Sequence, residues 1–183
     1  VAVDLGASHV SVALLDLAGT MLDLVRVDCD IKDGPVAVLD RIVELADQLL
    51  AARGLTRDAV AGLGMGVPGP VEHSTGRPTN PPIMPGWHDF DIPAHLSTSF
   101  AVPILVDNDV NLMALGEHNA YWPDTQHLLF VKVATGIGAG IISNQQLVRG
   151  SLGTAGDLGH VQTSGHDDVM CGCGNMGCLE AVA

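Results

Sequence analysis

Basic residues are scarce in this chain, and their scarcity limits the partners it can have. The 183 residues include 8 Lys and Arg against 21 Asp and Glu, for a formal net charge of −13. A surface of that sign repels phosphate backbones, and the sequence contains no basic run. We therefore expect this stretch not to bind nucleic acid by itself, whereas a neutral ligand is not repelled.

Long apolar runs are also lacking. Apolar residues make up 47% of the chain, enough for a packed core, but no uninterrupted run approaches the roughly 20 residues that cross a bilayer. The longest candidate, residues 127–142, contains Lys132 and several glycines. No signal-peptide pattern precedes the first predicted strand, so we expect a cytoplasmic protein with no membrane contact.

Cysteines are few and unevenly placed. Cys29 stands alone in a predicted strand, whereas Cys171, Cys173 and Cys178 lie close together among glycines. Three clustered cysteines cannot pair off evenly, so a disulfide framework is not expected. The spacing favours a metal site.

Internal repeats and low-complexity segments are absent, and both ends of the sequence look interrupted. The chain opens at Val1 inside a strand pattern, and it closes on residues 178–183, a helix-like start without a stop signal. We expect an internal piece of a longer polypeptide.

The sequence does contain alternating strand and helix patterns. Strands are predicted at residues 1–5, 11–16, 21–28, 60–67, 103–106 and 128–133, and helices begin near residues 35, 92 and 111. This order predicts a mixed sheet with helices packed on it, in a domain of residues 1–119 followed by a second domain at 120–183. The irregular, proline-rich segment 72–90 is predicted to be a functional loop.

Two glycine-rich turns could let backbone N–H groups approach a phosphate. The first is Asp4-Leu-Gly-Ala-Ser8, for which an ordinary hairpin turn is the simpler interpretation. The second is Thr135-Gly-Ile-Gly-Ala-Gly140, and it lacks the following helix of a dinucleotide fingerprint. Together they fit a nucleotide held in a cleft between two domains.

Asp107-Asn108-Asp109 follows an apolar strand. Carboxylates at strand ends point into ligand clefts in open α/β sheets, and an Asp there can take the proton of a sugar hydroxyl that attacks a phosphoryl group. Asp109 could equally be the N-cap of the next helix, and the spacing leaves both interpretations open.

His160 together with the three clustered cysteines has the composition of a structural zinc site. Zinc prefers four tetrahedral N and S ligands, and the interleaved glycines let the backbone wrap around a metal. The alternative is three inert thiols in a turn-rich loop.

Such a metal would draw Asp157 and Glu180 together, and carboxylates accept sugar hydroxyls well. The alternative is two surface acids on an acidic protein. The remaining histidines considered are predicted to be mostly surface residues: His73, His88, His95, His118 and His127.

The combination of motifs resembles the ROK family (repressors, open reading frames and kinases). The matching pieces run in family order over essentially the whole chain: Asp4-Leu-Gly, Gly64-Met-Gly-Val-Pro-Gly69, Asn80-Pro81, Asp107-Asn-Asp109, Thr135-Gly-Ile-Gly138, Gly156-Asp-Leu-Gly-His160 and Cys171-Gly-Cys-Gly-Asn-Met-Gly-Cys-Leu-Glu180. The resemblance implies an α/β, actin-like ATPase (ribonuclease H-like) two-domain fold, with the second domain incomplete in this chain and a sugar bound in the interdomain cleft.

The resemblance also implies residue roles. Sugar contacts would come from Asn80, Asn108, Asp109, Asp157, His160 and Glu180. Asp109 matches the catalytic base of the kinases, and His160 would place one ring nitrogen on zinc and the other toward the sugar. A kinase would use ATP and Mg²⁺, and the ATP phosphates would be held near Asp4, Gly6, Ser8, Thr135, Gly136 and Gly138.

Three departures from the kinase pattern favour the family's repressors. Gly6-Ala7-Ser8 stands where kinases have Gly-Gly-Thr, Asp157 replaces Glu, and Ala134 replaces the first Gly of Gly-Thr-Gly. The favoured hypothesis is the sugar-binding effector domain of a transcriptional regulator, which contacts DNA only through an upstream winged helix-turn-helix outside this chain. The alternative is an ATP-dependent kinase of the glucokinase or N-acetylhexosamine kinase type, so enzymatic activity stays open. Family members are usually homodimers or homotetramers.

Overall fold

The computed structural model describes residues 1–183, which form two compact units, Val1–Asp109 and Val110–Ala183. None of the helices combines the length and the apolar character needed to cross a membrane. The predicted strand and helix order is confirmed, and it builds the α/β mixed sheet expected of the fold. The predicted boundary between residues 119 and 120 stays a prediction.

The first unit is built on a five-stranded sheet. The strands of this sheet are β1 (Ala2–Leu5), β2 (His9–Leu15), β3 (Met21–Asp28), β4 (Leu63–Val67) and β7 (Ile104–Asn108), and the short strands β5 (Val71–Glu72) and β6 (Arg77–Pro78) form a separate pair. The sheet order is β3-β2-β1-β4-β7, in which β1, β4 and β7 run parallel and β2 and β3 are antiparallel additions. The carboxyl ends of the three parallel strands therefore meet at one edge of the sheet.

Two helices complete this unit, α1 (Pro35–Ala52) and α2 (Ile92–Ser97). Pro35 opens α1 at its first position, and Gly54, at φ +67°, follows its end as predicted. The apolar face of α1 includes Leu39, Ile42 and Leu49, which are buried in the main core. Helical periodicity in the sequence had predicted this face.

The segment 72–90 is less irregular than the sequence suggested. It contains the antiparallel pair β5–β6, and it is anchored by Trp87, which is fully buried. The indole Nε1 of Trp87 donates to the carbonyl of Ile31 at 3.0 Å. The loop is therefore fixed to the core, because a buried Trp needs a partner for its N–H group.

The second unit carries an antiparallel three-stranded sheet in the order β10-β9-β8. Its elements are α3 (Asp109–Tyr121), which starts at the last residue of the first unit, β8 (His127–Val133), β9 (Ile137–Ser143), β10 (Gln146–Val148) and α4 (Leu179–Val182). Helix α3 packs directly on β9, since a Cβ added at Gly140 would lie 2.7 Å from the carbonyl oxygen of Val110 and would also collide with Ala114.

Candidate functional site

The carboxyl edge of the first sheet gathers three of the predicted motifs. Asp4 pairs in register with Gly66, and Gly66 pairs with Asp107 on the next strand. Asp4, the loop after β4 and the Asp107–Asp109 motif therefore lie at the carboxyl ends of neighbouring strands, at the same edge. In α/β sheets this edge is where ligands bind.

Gly69 contacts the chain near two of the predicted sugar-binding residues, Asn80 and Asn108. The side-chain amide of Asn108 donates to the carbonyl of Gly69 at 3.0 Å. Gly69 has φ +103°, and a Cβ there would lie 3.0 Å from the Cβ of Pro81, so this close approach requires glycine. Pro81 in turn follows Asn80, and the turn thus places Asn80 and Asn108 near each other.

The backbone of Asn80 is held in an uncommon conformation. Its φ is +43°, in the left-handed region that Asn tolerates better than most residues. Its N–H donates to Nδ1 of His88 at 3.2 Å, so that ring nitrogen is the acceptor. His88 is exposed, as predicted, but no local signal in the sequence linked it to Asn80.

Asp109 is buried and is the first residue of α3. The alternative interpretation made Asp109 the N-cap of this helix. Asp109 is instead in the first helical turn, one position after an N-cap. A carboxylate there faces the positive end of the helix dipole. This placement is suited to a buried negative charge.

A histidine that sequence reasoning passed over lies next to the same motif. Nδ1 of His73 is 3.4 Å from the carboxylate of Asp107, which is buried, while the His73 ring is 40% exposed. The other oxygen of Asp107 accepts the N–H of Asn108 at 2.8 Å.

The first glycine turn is a tight hairpin connection between β1 and β2, as the simpler interpretation held. The N–H of Gly6 donates to the carbonyl of His9 at 2.8 Å. The imidazole of His9 lies over Gly6, close enough that an added Cβ would be 2.8 Å from its Nδ1, and its Nε2 is 3.9 Å from Asp4. The ring therefore occupies the space beside Gly6 that a side chain at this position would need.

The second glycine turn joins β8 to β9, and no helix follows it, so it is not a dinucleotide fingerprint. Its shape depends on Glu180, whose carboxylate accepts the N–H of Ile137 at 2.8 Å. A Cβ at Gly136 would lie 2.9 Å from the same oxygen. Glu180 is thus seated on the turn, a contact the sequence did not indicate.

The predicted metal ligands come together in the second unit. The ligand atoms of His160, Cys171, Cys173 and Cys178 all lie within 4.8 Å of one another. His160 Nδ1 is 3.6 Å from the Cys171 sulfur, and the sulfurs of Cys173 and Cys178 are 3.7 Å apart. Zn–S bonds of about 2.3 Å in a tetrahedron require sulfur separations of about 3.7 Å, so the set fits zinc.

The electrostatics of the cluster are consistent with a cation. Burial raises the pKa of the Cys178 thiol to about 12, whereas the backbone hydrogen bond from Asn175 lowers the pKa of Cys173. A thiol as buried as Cys178 becomes a thiolate near neutral pH only if a positive charge compensates it. A divalent metal supplies that charge. Cys29 is a free cysteine outside the cluster.

His160 presents its two ring nitrogens to different groups. Nδ1 faces the cysteines, and Nε2 is 3.9 Å from the carboxylate of Asp157. Burial raises the pKa of Asp157, the nearby charge of His160 opposes that shift, and the negative charge of Glu180 adds to it. The three predicted residues of this unit, Asp157, His160 and Glu180, therefore lie close enough for their charges to act on one another.

The known proteins that are similar in sequence to this chain include both a transcriptional repressor and an enzyme. The chain is 33% identical to a putative xylose repressor of Caldicellulosiruptor sp. and 32% identical to a glucokinase of Halalkalibacterium halodurans, in each case over its full length. It covers 46% and 56% of those relatives, so it spans about half their length.

A solved ROK glucokinase from Streptomyces griseus, in complex with glucose and AMPPNP, has a TM-score of 0.78 and 26% identity over 97% of this chain and 55% of its own. The ROK family model matches residues 1–183. The match spans the whole sequence and agrees with the predicted resemblance. This chain belongs to the ROK family.

Proposed function

We propose that this chain is the sugar-binding effector part of a transcriptional regulator. The observation that carries the proposal is the pair of polar groups described above, one in each unit, formed by amide, carboxylate and imidazole side chains. Such groups both donate to and accept from sugar hydroxyls. The Asn80, Asn108 and Asp109 group and the Asp157, His160 and Glu180 group supply the proposed contacts.

The ligand class is a neutral sugar, either a hexose or an N-acetylhexosamine. A neutral ligand suits a chain with a net charge of −13, because it carries no phosphate for that charge to repel. The relative solved with glucose makes this hexose the first probe, and xylose, a pentose for which another relative is named, serves as the comparison sugar.

Zinc is the proposed resident metal, held by His160, Cys171, Cys173 and Cys178. Four protein ligands leave no open position, so its contribution is structural. By fixing His160 and the start of α4 it orients His160 Nε2 and Glu180, which we propose as sugar contacts.

The first glycine turn favours a regulator over a kinase. Phosphoryl transfer needs a cradle of backbone N–H groups that approach the phosphates closely. Here Ala7 adds a methyl group to the turn, and the His9 ring lies over Gly6. DNA would be contacted through a winged helix-turn-helix upstream of these residues.

A sugar kinase is the second candidate, and Asp109 supports it. The residue stands at the carboxyl edge of the sheet, is buried, and matches the base of the kinases. In that case the protein would use ATP and Mg²⁺, and the ATP phosphates would be held near Asp4, Gly6, Ser8, Thr135, Gly136 and Gly138. The sequence identity to a glucokinase, 32%, is close to the 33% identity to a repressor.

The test of the regulator proposal uses the full-length protein. Its affinity for DNA upstream of its own gene is measured by mobility shift, with D-glucose, D-xylose and N-acetylglucosamine added in turn. We expect sequence-specific DNA binding that one sugar changes at least tenfold. Sugar binding without any DNA binding would contradict a regulator and leave the kinase as the better function.

A further inference from the structure

The contact between His73 and Asp107 differs from an ordinary surface pair. The first unit holds a second pair of this kind, His95 with Asp40 at 2.8 Å, in which the Asp40 side chain is 62% exposed. In the His73 pair the carboxylate is 4% exposed and the imidazole 40%. One member is therefore desolvated while the other still reaches the solvent.

A buried carboxylate requires hydrogen bonds on both oxygens, because losing its hydration is costly. Asp107 accepts the backbone N–H of Asn108 with one oxygen and faces Nδ1 of His73 with the other. This arrangement favours the ring tautomer with the proton on Nδ1. Nε2 is then an acceptor, and it has no partner within the protein.

The turn that carries His73 is well fixed. Ser74 and Thr75 both donate their hydroxyls to the carboxylate of Glu72 at 3.0 Å. The N–H of Gly76 donates to the carbonyl of Glu72 at 2.8 Å. At φ +70°, Gly76 lies so close to β7 that an added Cβ would be 3.4 Å from the Cβ of Val106. The turn is thus fixed beside the Asp107–Asp109 motif, and the imidazole of His73 reaches Asp107 from it.

We propose that His73 is a further sugar-binding residue, whose Nε2 accepts the hydrogen of one ligand hydroxyl, and that Asp107 is its positioning residue. The proposal rests on the sugar-binding function proposed above. It assigns to His73 a preference for sugars that carry that hydroxyl, because a site built to bond a hydroxyl discriminates against the analogue that lacks it.

The test combines protein and ligand changes in a double-mutant cycle. Full-length wild type, His73→Ala and the control His95→Ala are titrated calorimetrically with D-glucose, D-xylose and their monodeoxy derivatives. We expect one monodeoxy derivative to bind wild type and His95→Ala more weakly than its parent by roughly 2- to 12-fold. For His73→Ala, that derivative and its parent should bind equally.

The affinities of the deoxy derivatives show whether His73 contacts the sugar. If every deoxy derivative loses as much affinity with His73→Ala as with wild type, His73 does not contact the sugar, even if all affinities fall together. If wild type binds neither parent sugar, the proposed function fails for these ligands and the inference fails with it. Should His73→Ala not fold, as judged by its circular dichroism melting curve, the same cycle is run with His73→Gln, in which the ligand-dependent difference should shrink.

Discussion

At the scale of single residues, the candidate site uses carboxylates that are already engaged by the protein. Asp107 is bonded by a backbone N–H and faced by a histidine, and Glu180 accepts the N–H of Ile137. Because these contacts fix the side chains before a ligand arrives, little rotamer entropy is lost on binding. Substitutions should therefore affect ligand affinity and local order together.

Asp109→Asn should weaken sugar binding by about 1.5–3 kcal/mol, because a charge-assisted hydrogen bond to a hydroxyl is lost. Calorimetric titration of the full-length protein with its best sugar measures the change. The exposed Asp58, which lies away from the motif, provides Asp58→Asn as a matched control with unchanged affinity. Equal affinities for all three proteins would remove Asp109 from the site.

Glu180→Ala should loosen the second glycine turn, because the N–H of Ile137 loses its acceptor. Leaving that amide unpaired costs about 1–3 kcal/mol where water cannot replace the bond. Hydrogen exchange followed by mass spectrometry should show faster exchange in the peptide that covers residues 134–140. Glu180→Gln, which keeps an acceptor oxygen, should change the exchange less. Unaltered exchange in both variants would show that Glu180 does not hold the turn.

At the scale of elements, the loop that connects β10 to α4 is the least regular part of the second unit, and the proposed metal would hold it. Its four ligand atoms come from residues 160–178, which include no strand or α-helix of their own. Backbone hydrogen bonds such as that from the N–H of Thr163 to the carbonyl of Gly177, at 2.7 Å, already order this segment, and the proposed metal would add to that order.

We expect about one zinc ion per chain by elemental analysis after dialysis, and much less than one in Cys173→Ser. A metal site with three ligands of its original four binds far more weakly, because zinc prefers a complete tetrahedral set. Cys29→Ser is the matched control, since Cys29 lies outside the cluster, and it should keep its zinc. Wild-type protein without zinc and with freely titratable thiols would refute the assignment.

Close packing of α3 on β9 yields a prediction about stability. Gly140→Ala should lower the free energy of unfolding by about 1–3 kcal/mol, since its methyl group would meet Ala114 and the backbone of Val110. Gly116→Ala, within α3 and with open space around the new methyl group, should raise it by about 0.4–1 kcal/mol. Urea denaturation compares the two, and similar effects of both substitutions would contradict the packing.

At the scale of the whole molecule, each compact unit contributes one glycine-rich turn and one group of proposed sugar contacts. The proposed base, Asp109, and the first glycine turn stand at the same edge of the first sheet. Asp109 matches the residue found in the kinases, whereas Gly6-Ala7-Ser8 departs from their Gly-Gly-Thr pattern. A carboxylate that binds a hydroxyl need not activate it, so the presence of Asp109 does not by itself imply turnover.

We expect the full-length protein to bind a sugar without phosphorylating it. A coupled assay for ADP release, run with Mg²⁺, ATP and the best-binding sugar, should show no turnover above background. A kcat on the order of 1–10³ s⁻¹ would establish a kinase instead. If turnover is absent, the combined change Ala7→Gly and Ser8→Thr asks whether the first turn is the reason, and restored ADP release would show that it is.

Several features could be predicted from the sequence because they depend on residues close together in the chain. Periodicity predicted α1 and its buried face, and Pro35 and Gly54 predicted its ends. The spacing of the three clustered cysteines predicted their common site, since a short glycine-rich loop holds them within reach of one ligand. The motif order predicted the family, and the family match confirms it.

Other features were decided only by the tertiary structure, because they join residues that the chain keeps far apart. Glu180 lies 43 residues from Ile137, and His73 meets Asp107 only because the β5–β6 pair packs against β7. His118, predicted with the surface histidines, is in fact buried and bonds the carbonyl of Thr125. Local patterns specify which residues form a strand. Strand register and helix packing determine which distant side chains come into contact, and the candidate site depends on those contacts.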